Sequence, residues 1–437
     1  MNFLLFDFGA SRIKSIIYNA DSNKFYDLHS TPGASTENID QVPINFFYES
    51  FQNHLSYRES KNKKIHAINI CSEMHGFALV KNIENLEKNY YISWRVNNCD
   101  NLESELDFYF PGKDFKELTG MKPKKGLPIF NIRNHKNYNE KSFFLTLPDC
   151  IMSMFGEWNG TVSKSLAAST GLYNIQKDQW LDSVKYNSNI RFPKVNSKIN
   201  HTYGHILINK KEIPVYGCIG DLQSCVISLD LKKNDININL GTGSQVSKYF
   251  KNYEDNFELR PTFNSNFFST ITHIPCGRVL NTISNLFDKL YENSLKKENT
   301  YESVFWNKLF TKSDIKNKNK LLIDLNIFEG SYKYKNGGFI KNINESNLEP
   351  QIIIDNIKFS LIKQYSDIIN SCKNDPKNKI NRVLLTGALS NKIPDFKDIL
   401  YLDTNINVEL IHNEIDSSLI GLSKISRYIF RNKEIMK

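Results

Sequence analysis

Residues 2–20, NFLLFDFGASRIKSIIYNA, hold an apolar run, a Gly9-Ala10-Ser11 turn and an alternating run. An apolar run that ends at a turn reads as a buried strand, and the alternating run reads as its half-buried neighbour. Asp7 stands near the end of the first run, where an unpaired carboxylate costs free energy unless something holds it. KFYDLHS (24–30) adds a third strand, so the chain opens on three strands joined by short turns.

A helix is expected around INFFYESFQNHL (44–55), then a strand KIHAINICS (64–72) ending at EMHG, with FALV and YYIS as two more strands. Residues 100–200 read as mainly helical, with irregular connections around TGMKPKKGLP and SKSLAASTG. Alternation returns at PVYGCI (214–219), followed by Gly220-Asp221, and again at DININL (235–240), the turn GTGS and QVSKYF. Helices are expected in GRVLNTISNLFDKLYENSL, DNIKFSLIKQYSDIINSC and EIDSSLIGLSKISRYIF. NRVLLTGALSN reads as a strand, a Gly turn and a helix start, and TKSDIKNKNK (311–320) as a solvated basic insertion. A strand-rich opening thus occurs twice, which predicts two α/β domains, 1–230 and 231–437, with a cleft between them.

Composition narrows the class. The chain has 437 residues and a formal charge of +9, with 40% hydrophobic and 12% aromatic residues, enough for sizeable globular cores. The lysines are scattered, not gathered in a stripe, which argues against nucleic acid, while a basic bias suits an anionic small ligand. None of the seven cysteines forms a C-x-x-C pair, so a reduced, cytoplasmic protein without structural zinc is expected. MNFLLFDFGAS has no basic leader, and no apolar run reaches the ~18 residues of a spanning helix, so neither a signal peptide nor a membrane partner is expected.

Three Gly-bearing turns follow apolar strands: Asp7–Ser11, Gly241-Thr242-Gly243-Ser244 and Thr386–Asn391. Glycine lets backbone approach a phosphate, and turn amides and hydroxyls donate to its oxygens. An acid beside such a turn, here Asp7, suits a hydrated magnesium ion on nucleotide phosphates. Neither the P-loop nor the G-x-G-x-x-G pattern is present.

The order of these segments resembles the superfamily of actin, hexokinase and the heat-shock chaperone ATPases, and within it the FGGY carbohydrate kinase family. DFGASRIK looks like the family's first phosphate segment, with Asp7, Gly9 and Lys14 at matching positions. CSEMHGFAL resembles the sugar-contacting segment, YGCIGDLQSCV the Gly-Asp segment, NLGTGS the second phosphate segment and LLTGALSN the adenosine segment. The stretch from Phe155 to Trp180 is similar to the family's connecting segment. GDLQSCV, NLGTGSQVS and HIPCGRVLN look most like the sedoheptulokinase-type members.

The resemblance implies two ribonuclease-H-like domains closing on ATP, magnesium and a sugar. It implies Asp221 as general base. Sugar contacts are implied at Glu73, Met74, His75, Trp94 and Gln223. Nucleotide contacts are implied at Asp7, Gly9, Ser11, Lys14, Gly241, Thr242, Gly243, Ser244, Gly387 and Asn391, with Asp7 reaching the metal through water. The residues alone leave other readings open: Asp221 as a helix N-cap, His75 and Trp94 as core. The family often has Trp-x-Asp-x-Arg where this chain has Trp94-Arg95-Val96-Asn97-Asn98, and Gly-Glu-Arg where it has Phe328-Glu329-Gly330-Ser331. An ATP-dependent sedoheptulokinase-like kinase is therefore expected, with a xylulokinase or other FGGY sugar kinase as one alternative. An inactive nucleotide-binding regulator is another, which retention of Asp221 disfavours. An actin-like filament protein leaves Met74-His75-Gly76 and Gly220-Asp221 without a purpose.

Overall fold

The computed structural model describes the chain except residues 35–40, 60–62, 97–98, 156, 250–255, 265, 293–302, 313–320, 374–378 and 436–437. Most of the basic TKSDIKNKNK stretch, and Asn97 and Asn98, therefore lie outside the described residues. Contacts divide the chain into two compact units. The first holds Met1–Asp230, Glu258–Phe267 and Glu414–Lys437, and the second Leu231–Phe257 and Phe268–Asn413. A linear division at 230/231 would have given residues 258–267 and 414–437 to the second unit.

In the first unit, β1 (Asn2–Phe8), β2 (Arg12–Asn19) and β3 (Lys24–Pro32) form an antiparallel meander. On its other side β1 pairs in parallel with β4 (Ala67–Ser72), and β4 with β5 (Lys211–Gly220). Gly204–Ile208 adds an antiparallel edge strand beyond β5. The period of two in β1 sends its side chains into two cores. Leu4, Phe6 and Phe8 join Phe51, Leu55 and Ile70 on one face, while Phe3 and Leu5 join Ile16, Tyr18, Leu419 and Leu422 on the other. Phe51 and Leu55 come from α1 (Ile44–Glu59), and Phe51 stacks on Phe6 at 4.3 Å. Each such side chain contributes roughly 1.5–3 kcal/mol on burial, which fixes the register of β1 and hence the place of Asp7.

The expectation of mainly helical structure over 100–200 holds only in part. Leu102–Tyr109, Leu147–Met154 and Lys164–Ser169 are helices of eight residues or fewer, mixed with short strands such as Ser142–Leu145 and Thr161–Ser163. α2 (Asp221–Ser228) follows β5 directly.

In the second unit, β6 (Asp235–Asn239), β7 (Ser244–Lys248) and β8 (Phe267–Ile274) form the antiparallel meander. β6 pairs in parallel with β9 (Arg382–Thr386), and β9 with β10 (Asn407–Leu410). This is the first unit's order again, meander then two parallel strands. α3 (Gly277–Glu292) follows β8, α4 (Pro350–Lys373) leads into β9, and α5 (Phe396–Thr404) lies between β9 and β10. In α4 Ile354, Ile357, Leu361, Tyr365, Ile368 and Cys372 recur at three- and four-residue intervals and pack with Ile236, Ile238 and Leu385. The Gly387 turn does not lead at once into a helix; turns continue to Asp395 before α5 begins. α6 (Ser417–Ile435) returns to the first unit, on α2 and β1. Among the described residues no helix is long and apolar enough to cross a membrane.

Candidate active site

The register of the first sheet sets Lys14, Asp7, Cys71 and Ile219 in one row across β2, β1, β4 and β5. Cross-strand partners project to the same face, so Lys14, Asp7 and Cys71 stand side by side. Asp7 is buried. Its Oδ2 accepts from Ser418 Oγ at 2.7 Å, and its Oδ1 lies 3.6 Å from Cys71 Sγ. Burial raises the carboxyl above its usual range, against the Ser418 bond and the Lys14 charge. Lys14 Nζ lies 3.0 Å from Asp416 Oδ2. Gly9 closes the turn by donating to Arg12 O at 3.1 Å, and Ser11 is exposed.

β5 reaches Asp221 through a bulge: the register shifts between Tyr216 and Ile219, with Gly217 at φ +79° and Cys218 at φ +35°. A bulge bends its strand and re-aims the side chains beyond it. Gly220 occupies the N-cap of α2, and Asp221 is the first helical residue, its Oδ1 accepting from Leu222 N at 2.8 Å. The N-cap alternative is thus off by one position. Asp221 sits in the first turn, where the helix dipole favours a carboxylate. Burial nonetheless dominates, and with the charges of Asp7 and Glu73 it pushes the carboxyl up to about 7. Gly220 has the Met74 and Gln223 side chains packed directly against it, where a Cβ would force both to shift.

Glu73 continues β4, its amide donating to Phe8 O at 2.9 Å. Burial pushes its carboxyl up to about 7 against the charge of Arg95 and hydrogen bonds with Tyr91, Trp94 and Ser93. His75 has φ +65°, an uncommon conformation for a non-glycine residue, and its Nδ1 lies 2.5 Å from Ser169 O. Donating there leaves Nε2 as an acceptor. Burial, with Arg260 and Lys124 nearby, holds the ring neutral, its pKa lowered to about 3. Trp94 is 40% exposed, with the Arg95 guanidinium 5.4 Å from its ring. Gln223 is turned inward: its Nε2 donates to Pro261 O at 3.3 Å and it lines a cavity of about 10 Å³ with Lys164, Ser165 and Thr262. That volume suits one water.

Sequence reading missed two groups here. Glu258 takes Arg260 Nη2 at 2.7 Å and Lys124 Nζ at 3.4 Å, which holds its carboxyl well below the usual range. The other is Asp416 and Ser418, whose EIDSS stretch reads only as a helix start. Both are tied to the site by long-range packing that no local pattern announces.

In the second unit, three segments meet at one end of the sheet. Gly277 N donates to Gly241 O at 3.1 Å, Arg278 N to Thr242 O at 2.8 Å, and Leu389 N to Leu240 O at 3.2 Å. Gly387 has φ +93° and packs against Asn239 and Leu240 O, while a Cβ at Gly243 would meet nothing within 4 Å. Thr242, Gly243 and Asn391 are exposed. Ser244 is buried and gives its hydroxyl to Asn239 O at 2.7 Å, so it faces the strand.

Residues 2–228 match the N-terminal domain of the FGGY family of carbohydrate kinases. The chain belongs to that family. Solved structures similar to this FGGY kinase include xylulose kinase and gluconate kinase from Lactobacillus acidophilus, each 14% identical with a TM-score of 0.77. Another is Plasmodium falciparum glycerol kinase with ADP, 14% identical with a TM-score of 0.81. Each alignment covers 99% of this chain, and 90%, 89% and 90% of those chains respectively. No curated protein is a sequence match. The α/β fold with two mixed sheets is the one these kinases share. Membership makes the chain a phosphotransferase acting on a carbohydrate and implies ATP as phosphoryl donor.

Proposed function

We propose that this FGGY kinase transfers the γ-phosphate of ATP to a primary hydroxyl of a ketose or heptose, sedoheptulose foremost, in the cytoplasm. The observation that carries the reading is Asp221: a carboxyl held at about 7, in the first turn of a helix, beside Asp7 and Glu73. A base poised near neutral pH accepts the hydroxyl proton as the oxygen attacks the γ-phosphorus, and the rest of the work is positioning and charge neutralisation. Glu73 and neutral His75 Nε2 are suited to accept from sugar hydroxyls, and Trp94 offers an exposed ring to a sugar face. Gln223 serves by holding α2 to Pro261. Lys14 and the amides of the Gly9 and Thr242–Gly243 turns are suited to phosphate oxygens.

Among the described residues no group of three or more His, Cys, Asp and Glu forms a metal cage. Magnesium carried by a nucleotide needs only one or two carboxylates and keeps several waters. Asp7, a carboxylate oriented by the Ser418 hydroxyl, would meet that requirement through water. When bound, the ion neutralises phosphate charge.

The test is ATP turnover with sedoheptulose, xylulose, ribulose, gluconate and glycerol. Val96 is buried where the family often has the Asp of Trp-x-Asp-x-Arg, so one polar anchor is absent and selection falls to Glu73, His75 and Asp221. Turnover of one or more ketoses is expected. A sharp preference for glycerol or gluconate, with no ketose turnover, overturns the acceptor while leaving the kinase standing.

A further inference from the structure

We infer that Ser418 is a positioning residue for phosphoryl transfer, holding Asp7 from the far end of the sequence. This rests on the reading of Asp7 as the carboxylate that serves the nucleotide. The start of α6 touches this site three times. Ser418 Oγ donates to Asp7 Oδ2 at 2.7 Å, across 411 residues, and Asp416 Oδ2 lies 3.0 Å from Lys14 Nζ. The Ser418 carbonyl accepts from Ser224 Oγ at 2.6 Å, on the helix that begins with Asp221. Two features keep α6 at this distance. A Cβ at Gly421 would collide with the Ser224 backbone, and Lys424 Nζ reaches Ser228 O at 2.7 Å.

Asp7 and Lys14 are cross-strand partners, so one helix start grips both members of a pair read as serving the same phosphates. Among the described residues Ser418 is the stronger hydrogen-bond partner of the Asp7 carboxylate; the Cys71 thiol is a weak donor at 3.6 Å. Without the hydroxyl the carboxylate loses its stronger hydrogen-bond restraint against turning about its side-chain torsions. A shift of about 1 Å at such a group is enough to cost about a hundredfold in rate. A serine merely satisfied by the nearest oxygen would show no such effect on turnover.

The experiment compares Ser418→Ala and Ser418→Thr with wild type, using ATP and the best acceptor of the sugar panel. In Ser418→Ala, kcat should fall about 10- to 100-fold, with KM for ATP and the MgADP dissociation constant within about threefold of wild type. Ser418→Thr, which keeps the hydroxyl, should recover most of kcat. An alanine variant with kcat within twofold of wild type overturns the inference. So does a threonine variant as slow as alanine when both melt early, because that marks a packing role. If wild type phosphorylates no acceptor in the panel, the sugar reading fails separately. Hydrolysis of ATP by water then supplies the comparison: a tenfold loss in Ser418→Ala supports positioning, and an unchanged rate overturns it.

Discussion

At the scale of single residues, Asp221 combines a cost to stability with a use in chemistry. Its folded pKa, about 7, lies above the roughly 3.9 of an unfolded aspartate. The stability linked to its proton is therefore complete below about pH 4 and is lost as pH rises through about 7. Asp221→Asn removes the ionising group, so it should melt above wild type at pH 8 and level with it at pH 4. Differential scanning calorimetry at the two pH values reads this directly. The same change removes the proposed proton acceptor, and transfer should drop by about a hundredfold to ten-thousandfold. In wild type, kcat/KM for the sugar should climb about tenfold per pH unit until about pH 7 and then level. Near-normal turnover by Asp221→Asn would remove Asp221 as base. The sequence made this carboxylate visible because a charge after an apolar strand has few explanations. Its place within the helix was not visible, because the bulge at Gly217 and Cys218 shifts the strand end by more than local pattern can show.

Among the elements, the Gly turns of the second unit separate folding from binding. Gly387 is required by its backbone: φ is +93°, and a Cβ would lie 2.5 Å from Leu240 O. Gly387→Ala should cost roughly 1–3 kcal/mol from the backbone conformation alone, with the collision in addition, and lower the melting temperature by several degrees. Gly243 has open space where its Cβ would be. Gly243→Ala should fold and melt like wild type, yet weaken MgADP at least tenfold by filling the room a phosphate needs. Calorimetric titration of both variants tests the pair, and unchanged affinity in Gly243→Ala would move the phosphate elsewhere. A strand running into a glycine exposed both turns in the sequence, but Gly277 under Gly241 is a tertiary approach that HIPCGRVLN does not reveal. The resemblance implies Ser244 as a nucleotide contact, whereas in the structure its hydroxyl turns inward to Asn239 O.

Taken as a whole molecule, the chain repeats one plan: an antiparallel meander and then two parallel strands, once in each unit. The sequence exposed the repeat because both meanders open on a strand pattern that ends at a Gly turn. It concealed that α6 belongs to the first unit, since an amphipathic helix does not name the sheet it covers. In each unit the turns after the first strand and after the first parallel strand are the chemically marked ones: Gly9 and Glu73–Gly76 in one, Gly241–Gly243 and Gly387 in the other. Yet their chemistry differs. The first unit's Glu73–Gly76 turn carries a buried carboxylate and a neutral histidine, which suit hydroxyls, while its Gly9 turn, with Lys14 beside it, suits phosphate; the second unit's turns carry glycines and exposed residues, which suit phosphate and little else. On the proposed reading the sugar acceptor therefore falls to the first unit's Glu73–Gly76 and Gly220–Gln223 segments and most nucleotide contacts to the second unit's turns, and hydrogen exchange tests that assignment. MgADP alone should slow exchange at Thr242, Gly243 and Gly387–Asn391, with a rise in melting temperature because ligand bound only by the folded state stabilises it, by about 2.7 kcal/mol at a hundredfold excess over the dissociation constant. The accepted sugar alone should slow exchange at Glu73–Gly76 and Gly220–Gln223. If the sugar protected the Gly241 and Gly387 turns and left the first unit unchanged, the division of labour between carboxylate turns and glycine turns would be wrong, and with it the placing of the acceptor beside Asp221.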